Sequence, residues 1–425
     1  MKKYLKKIPA ELKELIKVIV QVSAQTNMPA YLVGGFLRDL ILQVKNFDLD
    51  VAVEGDGIIF AQVLAKELEG ELKTHERFGT ATLTLSEALK VDIATARKEK
   101  YPNCGCLPVV SAGSLNDDLA RRDFSVNALA ASITGDNGWK LIDLFGGRDD
   151  LSSGKIRILH DLSFNDDPTR ILRAIRFEQR FNFKIEPKTM VLLKGAVKAG
   201  LLNKVTPHRL RDELILMLKE QDPLKQIKRL NNLCGLSFIS KKIKVGKSTY
   251  NLFKSLAREI SWFNKNFPHH RKLDTWLIYF TALLERLTLK EIEEIAVKLG
   301  LRSGEEKRIV SYHQARFKLI KSLSKKSVLP ASIFFMLEPL SYETIILLRA
   351  VSQNENLKKY VADFIEIYNG MRLCVSGNDL SGLGVLPGPR YKKIFAQALE
   401  AKLNGRVRNR KEELVLIRKL IKITN

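Results

Sequence analysis

The sequence predicts an α+β chain, with a head built on one mixed sheet followed by an all-helical remainder. Three observations carry this prediction. Across residues 1–150, short runs such as AYLVGG, FDLDVAV, TATLTL and LKVDIAT are β-branched or alternate apolar with polar, as strands do, and the stretch GIIFAQVLAKELEGEL between them has helical spacing. After the glycine-rich DLFGGRDDLSSGKIRIL, apolar residues recur at three- and four-residue intervals almost throughout, as in PTRILRAIRFEQRF, PHRLRDELILMLK and DPLKQIKRLNNL. The charge divides at the same place: residues 1–150 carry 19 Lys and Arg against 21 Asp and Glu, and residues 151–425 carry 52 against 26.

The chain has 425 residues, 45% of them apolar, which is enough for several packed units. It contains no run of about 18 apolar residues, so no membrane span and no membrane partner are expected. The opening MKKYLKKIPAELKELIKVIV is interrupted by Glu11 and Glu14 and reads as an amphipathic helix rather than a signal peptide. Four cysteines and six scattered histidines form neither a zinc pattern nor a disulfide framework, which suits a reducing cytoplasm. The net charge of +24 lies entirely in the helical part and suggests a polyanion-binding body on a near-neutral head, although solvated lysine faces would give the same count.

The helical part carries its own start and stop signals. Thr288 and Glu291 form a capping box and Gly300 a stop; SGEE at 303–306 offers a second box. SGNDLSGLGVLPGPRYKKIFAQALEAKLNG at 376–405 is a Gly/Pro-rich turn followed by a helix that starts a terminal subdomain.

The chemistry concentrates in residues 31–54, YLVGGFLRDLILQVKNFDLDVAVE. Asp48 and Asp50 sit two apart in a strand-like run and so share one face. A pair of carboxylates suits Mg²⁺, which takes hard oxygens and keeps several waters. Gly34 and Gly35 stand between a strand and a helix, where bare backbone N–H groups can receive a phosphate, and Arg38 lies one turn on. The glycines would hold a triphosphate and the aspartates the metal ions acting on it.

With these residues in place, LVGGFLRDLILQVKNFDLDVAV resembles the first motif of the class II tRNA nucleotidyltransferases, the family of CCA-adding enzymes and bacterial poly(A) polymerases, within the polymerase beta-like superfamily. Further segments resemble later motifs in order: RFGTATL (77–83), VDIATAR (91–97), RRDFSVNALA (121–130, Ser125 standing where Thr is usual), DLFGGRDDL (143–151), NDDPTRILRAIRF (165–177, Asp166 standing where Glu is usual), TPHRLRDEL (206–214) and SGNDLSGLGVLPGP (376–389). The resemblance implies a polymerase beta-like nucleotidyltransferase head over 1–150, a helical neck with base recognition over 151–235, and RNA-binding helical segments over 236–370 (body) and 371–425 (tail).

It also implies roles. Asp48 and Asp50 would bind two Mg²⁺ ions, and a 3′-hydroxyl of RNA would attack the α-phosphate of CTP or ATP with release of pyrophosphate. Asp92 would be a third catalytic carboxylate, or a strand-end aspartate held by backbone N–H groups. Gly34, Gly35 and Arg38 would bind the nucleotide. Arg122 and Asn127 would contact its phosphates, and Asp123 its ribose 2′-hydroxyl, unless Asp123 only caps a helix. Asp167 and Arg170, three apart and so on one helical face, would read the edge of C or A, or form an ordinary i, i+3 ion pair. Arg173 and Arg176 would line the nucleotide cleft or face solvent. Arg209 and Arg211 would brace the neck by pairing with Asp212, Glu213 or helix ends.

The basic body would hold the acceptor–TΨC arm of tRNA by its phosphates, with 403–422 the densest candidate stretch, and 97–120 would be a mobile loop that helps switch specificity. The implied activity is template-independent addition of C, A or both to the tRNA 3′ end. A poly(A) polymerase is the alternative within the family, and a non-catalytic RNA-binding protein the alternative from another class.

Overall fold

The architecture below is that of a computed structural model describing residues 8–44, 48–86, 89–133 and 139–423. The N-terminal helix runs over Ala10–Thr26 and buries Leu12, Leu15, Ile16, Ile19 and Val22, a stripe at helical spacing. Residues 1–7 of the stretch read as an amphipathic helix, and Phe47 of FDLDVAV, lie outside the described residues.

The head contains strands β1 (Ala30–Val33), β2 (Leu49–Val53), β3 (Glu71–His75), β4 (Thr80–Thr84), β5 (Lys90–Thr95), β6 (Arg97–Lys100), β7 (Val109–Ala112), β8 (Leu129–Ser132) and β9 (Lys140–Asp143). Seven of them form a mixed sheet in the order β3-β4-β5-β2-β1-β8-β9, and β6 and β7 form a separate antiparallel hairpin. The β2–β5 pair is the parallel one in this sheet; its register sets Asp50 beside Asp92, with Leu49 beside Val91 and Val51 beside Ile93.

Side chains alternate across a strand, so Asp50 and Ala52 share one face while Leu49, Val51 and Val53 share the other. The second set is buried, and the Gly57–Leu68 helix packs on that side of the sheet. Asp56 starts this helix by accepting N–H bonds from Ile58 and Ile59. The helix ends at Leu68, not at the expected Leu72, because Glu69 turns left-handed (φ 51°) and the chain re-enters the sheet as β3. On the face of Asp50 and Ala52, a cluster of Val33, Ala52, Leu115, Leu119 and Ala130 seats the Leu115–Ala120 helix.

The predicted helical remainder is helical apart from a short parallel pair, Lys155–Ile156 with Lys184–Ile185, in the segment read as neck. Thr169–Phe181 packs on Pro207–Lys219 and on Pro223–Leu233, the last capped by Asp222 through the Lys225 N–H. Two compact units result, residues 1–238 and 239–425, so the residues read as head and neck fold together and those read as body and tail form the other unit.

In the second unit, Lys247–Asn266 packs against Tyr342–Val351 and Thr275–Leu283. The capping box of Thr288 and Glu291 and the left-handed Gly300 (φ 60°) bound the Leu289–Leu299 helix. At the second expected box, Ser303 is already the first helical residue; the N-cap is Arg302, whose N–H donates to Glu305 at 2.8 Å. The 376–405 stretch folds as Gly377–Gly382 and Pro389–Leu403, and Ile417 from Arg410–Ile423 joins its core of Val375, Leu380, Val385, Ile394 and Ala398. Among the described residues, no single helix is long and apolar enough to cross a membrane.

Glu343 anchors this unit. It is 3% exposed, accepts both terminal guanidinium nitrogens of Arg271 at 2.7 Å, and accepts the Asp274 N–H at 3.0 Å. Burial alone would raise its carboxyl, but the bonds from Arg271 and Asp274 outweigh burial and bring it from 4.5 to about 2. A carboxyl depressed on folding adds stability above its unfolded value, and that stability disappears as pH falls through the folded one. Glu343→Gln is therefore expected to lower stability at neutral pH by on the order of 3 kcal/mol. The gap between the thermal midpoints of variant and wild type should close between about pH 4.5 and 2.

Candidate functional site

The site begins at the turn between β1 and the Gly35–Leu42 helix. Gly34 adopts φ 64°, ψ −126°, a conformation that side chains oppose, and an added Cβ would lie 2.5 Å from Arg122 Nη1. The turn thus brings the helix N-terminus against β2, where the Gly35 N–H donates to Asp50. Burial pushes the Asp50 carboxyl up to about 6; the Arg122 charge opposes this and the Asp92 charge adds to it.

This edge opens into a cleft of about 680 Å³, within the size range of small-ligand sites. Seven arginines and six carboxylates line it. Their pairing explains how so many charges share one cavity. Asp118, fully buried, accepts Arg121 through Oδ1 at 2.6 and 2.9 Å and Arg122 through Oδ2 at 2.8 and 3.2 Å. Burial would raise its carboxyl, but the charges of Arg122 and Arg121 prevail and hold it below the usual range. Glu99 on β6 receives Arg97, Arg121 and the Tyr101 hydroxyl, and burial followed by that Glu99 bond pushes the Tyr101 phenol up.

Of the predicted residues, Gly34, Gly35, Arg38, Asp50, Arg122, Asp123, Asn127, Asp167, Arg170 and Arg173 all line this cleft. Arg38 donates to Asp39 at 2.8 Å and to Asn127 at 2.6 Å and stacks over Phe181. Asp123 is more occupied than a free ribose acceptor would be: Oδ1 takes the Phe124 N–H and Asn127 Nδ2, and Oδ2 takes two Arg173 nitrogens at 2.6 and 2.8 Å. Burial acts against its charge, yet Arg173 and Asn127 bring its carboxyl down to about 2. Asp167 is not on one helical face with Arg170. It ends the Ser163–Asp166 helix and precedes Pro168, accepting the Thr169 N–H at 3.0 Å and the Thr169 hydroxyl at 2.7 Å. Arg170, 4% exposed, donates to Ser163 Oγ and to the Arg121 carbonyl, both at 2.7 Å.

Three predicted residues fall elsewhere. Asp48 is exposed at the foot of β2 and lines neither this cleft nor the smaller cavity that Asp50, Asp92 and Arg122 share. Asp92 faces that smaller cavity, where Thr82 donates to it at 2.6 Å. Arg176 lies behind the cleft wall, neutralised by Glu213 and Glu220 and packed on Phe177. Arg209, expected to brace the neck on Asp212, Glu213 or a helix end, reaches Asp167 at the end of the Ser163–Asp166 helix and the Gly105 carbonyl, and Arg211 pairs with Asp212. The 97–120 segment forms the β6–β7 hairpin and the Leu115–Ala120 helix. The sequence reading missed Asp118 and Glu99; the adjacent Asp117–Asp118 pair before two arginines was the available signal.

A mixed sheet carrying acidic residues beside a glycine turn and an arginine-lined cleft defines a nucleotidyltransferase-type head. Comparisons with known proteins agree. The family described as "Poly A polymerase head domain" matches residues 30–157, and "Probable RNA and SrmB- binding site of polymerase A" matches 182–236. An A-adding tRNA nucleotidyltransferase of Halalkalibacterium halodurans is 33% identical, the match covering 95% of this chain and 92% of that protein. One of Geobacter sulfurreducens is 36% identical over 96% of this chain, which spans only 47% of that longer relative. A solved complex of a CCA-adding enzyme with ATP superposes with a TM-score of 0.73 at 34% identity, covering 98% of this chain and 96% of that one. The chain belongs to the class II tRNA nucleotidyltransferase and poly(A) polymerase family.

Asp118→Asn tests the charge lattice. Breaking a buried pair while its partners stay buried costs about 3–5 kcal/mol. The variant is expected to lose stability to urea unfolding by that margin, whereas Asp117→Asn, on a half-buried side chain that bonds Ser114 and Lys98, should change stability by well under half of it.

Proposed function

We propose that the chain adds C, A or both to the 3′ end of a tRNA without a template, the terminal 3′-hydroxyl attacking the α-phosphate of CTP or ATP so that the nucleoside monophosphate is transferred and pyrophosphate leaves. The observation that carries this reading is Asp50, aligned with Asp92 on the parallel strand, standing beside the Gly34–Gly35 turn and lining the arginine-rich cleft, with Asp92 in the smaller cavity that Asp50 also lines. The Gly35 helix N-terminus and Arg122 would hold the triphosphate, Asp167 and Arg170 would meet the base, and Asp123 would hold Arg173 and Asn127 in place rather than read the ribose alone.

The donors fit divalent magnesium. Asp50 and Asp92 offer hard oxygens from neighbouring strands, and burial already disfavours charge on Asp50 unless a cation answers it. The seven arginines are nearly balanced by six carboxylates, so a triphosphate entering the cleft needs additional positive charge. Among the described residues, no cluster of three or more metal-ligating side chains occurs. The fit is therefore to a carboxylate pair completed by nucleotide phosphates and water. Bound there, two Mg²⁺ ions would stabilise charge on the reacting oxygens.

The second unit, with the basic tail helix Arg410–Ile423, would bind the acceptor–TΨC arm. Its charge supports a polyanion, and the named relatives support tRNA as that polyanion.

The assay offers single labelled nucleotides with Mg²⁺ to tRNAs ending at the discriminator base or after one or two added C residues. Limited addition of C and A indicates CCA synthesis, A alone after CC indicates an A-adding enzyme, and long A tails on unstructured RNA indicate the polymerase. No product from any RNA overturns the proposal. Asp50→Asn should lower transfer by at least about 10³-fold with ATP binding retained. Gly34→Ala should weaken ATP binding at least about tenfold, since the new methyl displaces Arg122.

A further inference from the structure

Resting on the nucleotide-adding reading above, we infer that Arg209 is the positioning residue that gives Asp167 its selectivity for bases with an amine at purine C6 or pyrimidine C4, adenine and cytosine. An ionised carboxylate offers about four acceptor positions and no donor. On Asp167, Oδ1 is filled by the Thr169 N–H and hydroxyl, and Oδ2 accepts Arg209 Nη2 at 2.7 Å. One acceptor position, on Oδ2, remains, and Asp167 lines the cleft with its side chain 15% exposed.

At purine C6 and pyrimidine C4, adenine and cytosine present an amine that can donate to such an acceptor, whereas guanine and uracil present a carbonyl there that it repels, the guanine amine standing at C2 instead. Discrimination then depends on where that single position points. Thr169 fixes one oxygen from the helix start. Arg209 fixes the other from a different helix, and the second arm of its planar fork donates to the Gly105 carbonyl at 3.2 Å. Gly105 is itself wedged into the chain at Lys204, since an added Cβ would meet the Lys204 carbonyl at 2.8 Å. The guanidinium is therefore held at both ends, and the Asp167 carboxylate is left with one orientation. Arg209 touches no nucleotide in this scheme; it acts through Asp167.

The test compares full-length wild type, Arg209→Met and Arg209→Lys. It measures kcat/KM for ATP, CTP, UTP and GTP on one tRNA acceptor, equilibrium binding of ATP and UTP, and thermal midpoints as the control for folding. Arg209→Met is expected to lose about 10- to 100-fold in the ratio of ATP to UTP use, with KM for ATP rising more than kcat falls. Arg209→Lys supplies a point donor that cannot span Asp167 and Gly105 together, so it should recover only part of the ratio. A folded Arg209→Met with wild-type discrimination overturns the inference. Should that variant not fold, an unchanged ratio in Arg209→Lys overturns it equally. A wild-type chain that binds and uses UTP as well as ATP fails at a different point, because base reading by Asp167 would then be absent altogether.

Discussion

A charge withdrawn from water must be answered by another, and the wall of the cleft is built by that requirement. Most guanidinium groups described there are answered by carboxylates: Asp118 serves Arg121 and Arg122, Asp123 and Glu213 share Arg173, and Asp167 takes Arg209, while Arg170 donates to the Ser163 hydroxyl and the Arg121 carbonyl. These pairs join residues distant in sequence, from the β6 hairpin to the Pro207–Lys219 helix, and they give the neck helices a fixed place against the sheet. Asp50 is the exception. It has one backbone donor and partial opposition from Arg122, and its carboxyl is pushed up by burial. In a lattice whose other carboxylates are mostly paired with arginines, it is the carboxylate left needing a cation.

The strands that carry chemistry were readable because they are β-branched and alternate: β1, β2, β4 and β5 all fall on runs recognised from the sequence. β3 was hidden because Glu71, Lys73 and His75 are polar and exposed at the sheet edge, and its first residues extended an apparently helical pattern. β8 was hidden because half of Leu129–Ser132 is alanine, whose strand preference is low; its burial against β1 decides its conformation.

At the site, residue identities were more legible than residue partners. Ten predicted residues converge on the cleft, but nothing in the sequence shows that Asp123 has every acceptor position filled or that Arg209 crosses 42 residues to Asp167. Spacing suggested that Asp167 and Arg170 lie on one helix; Pro168 prevents it, since the residue before a proline is driven out of helical conformation. Arg176 resembles Arg173 in spacing and differs only in which carboxylates the fold brings to it.

The parallel pairing of β2 with β5 has a consequence for how this protein can vary. Because facing alternates residue by residue, shifting β5 by one position would turn Asp92 towards the helix-covered layer and bring Val91 or Ile93 to the reactive side. Replacing an apolar residue there changes packing by degrees, whereas losing or gaining one amino acid inverts the whole strand. The segment should therefore drift freely in composition over evolutionary time while keeping its length, with insertions and deletions confined to turns outside the ladder.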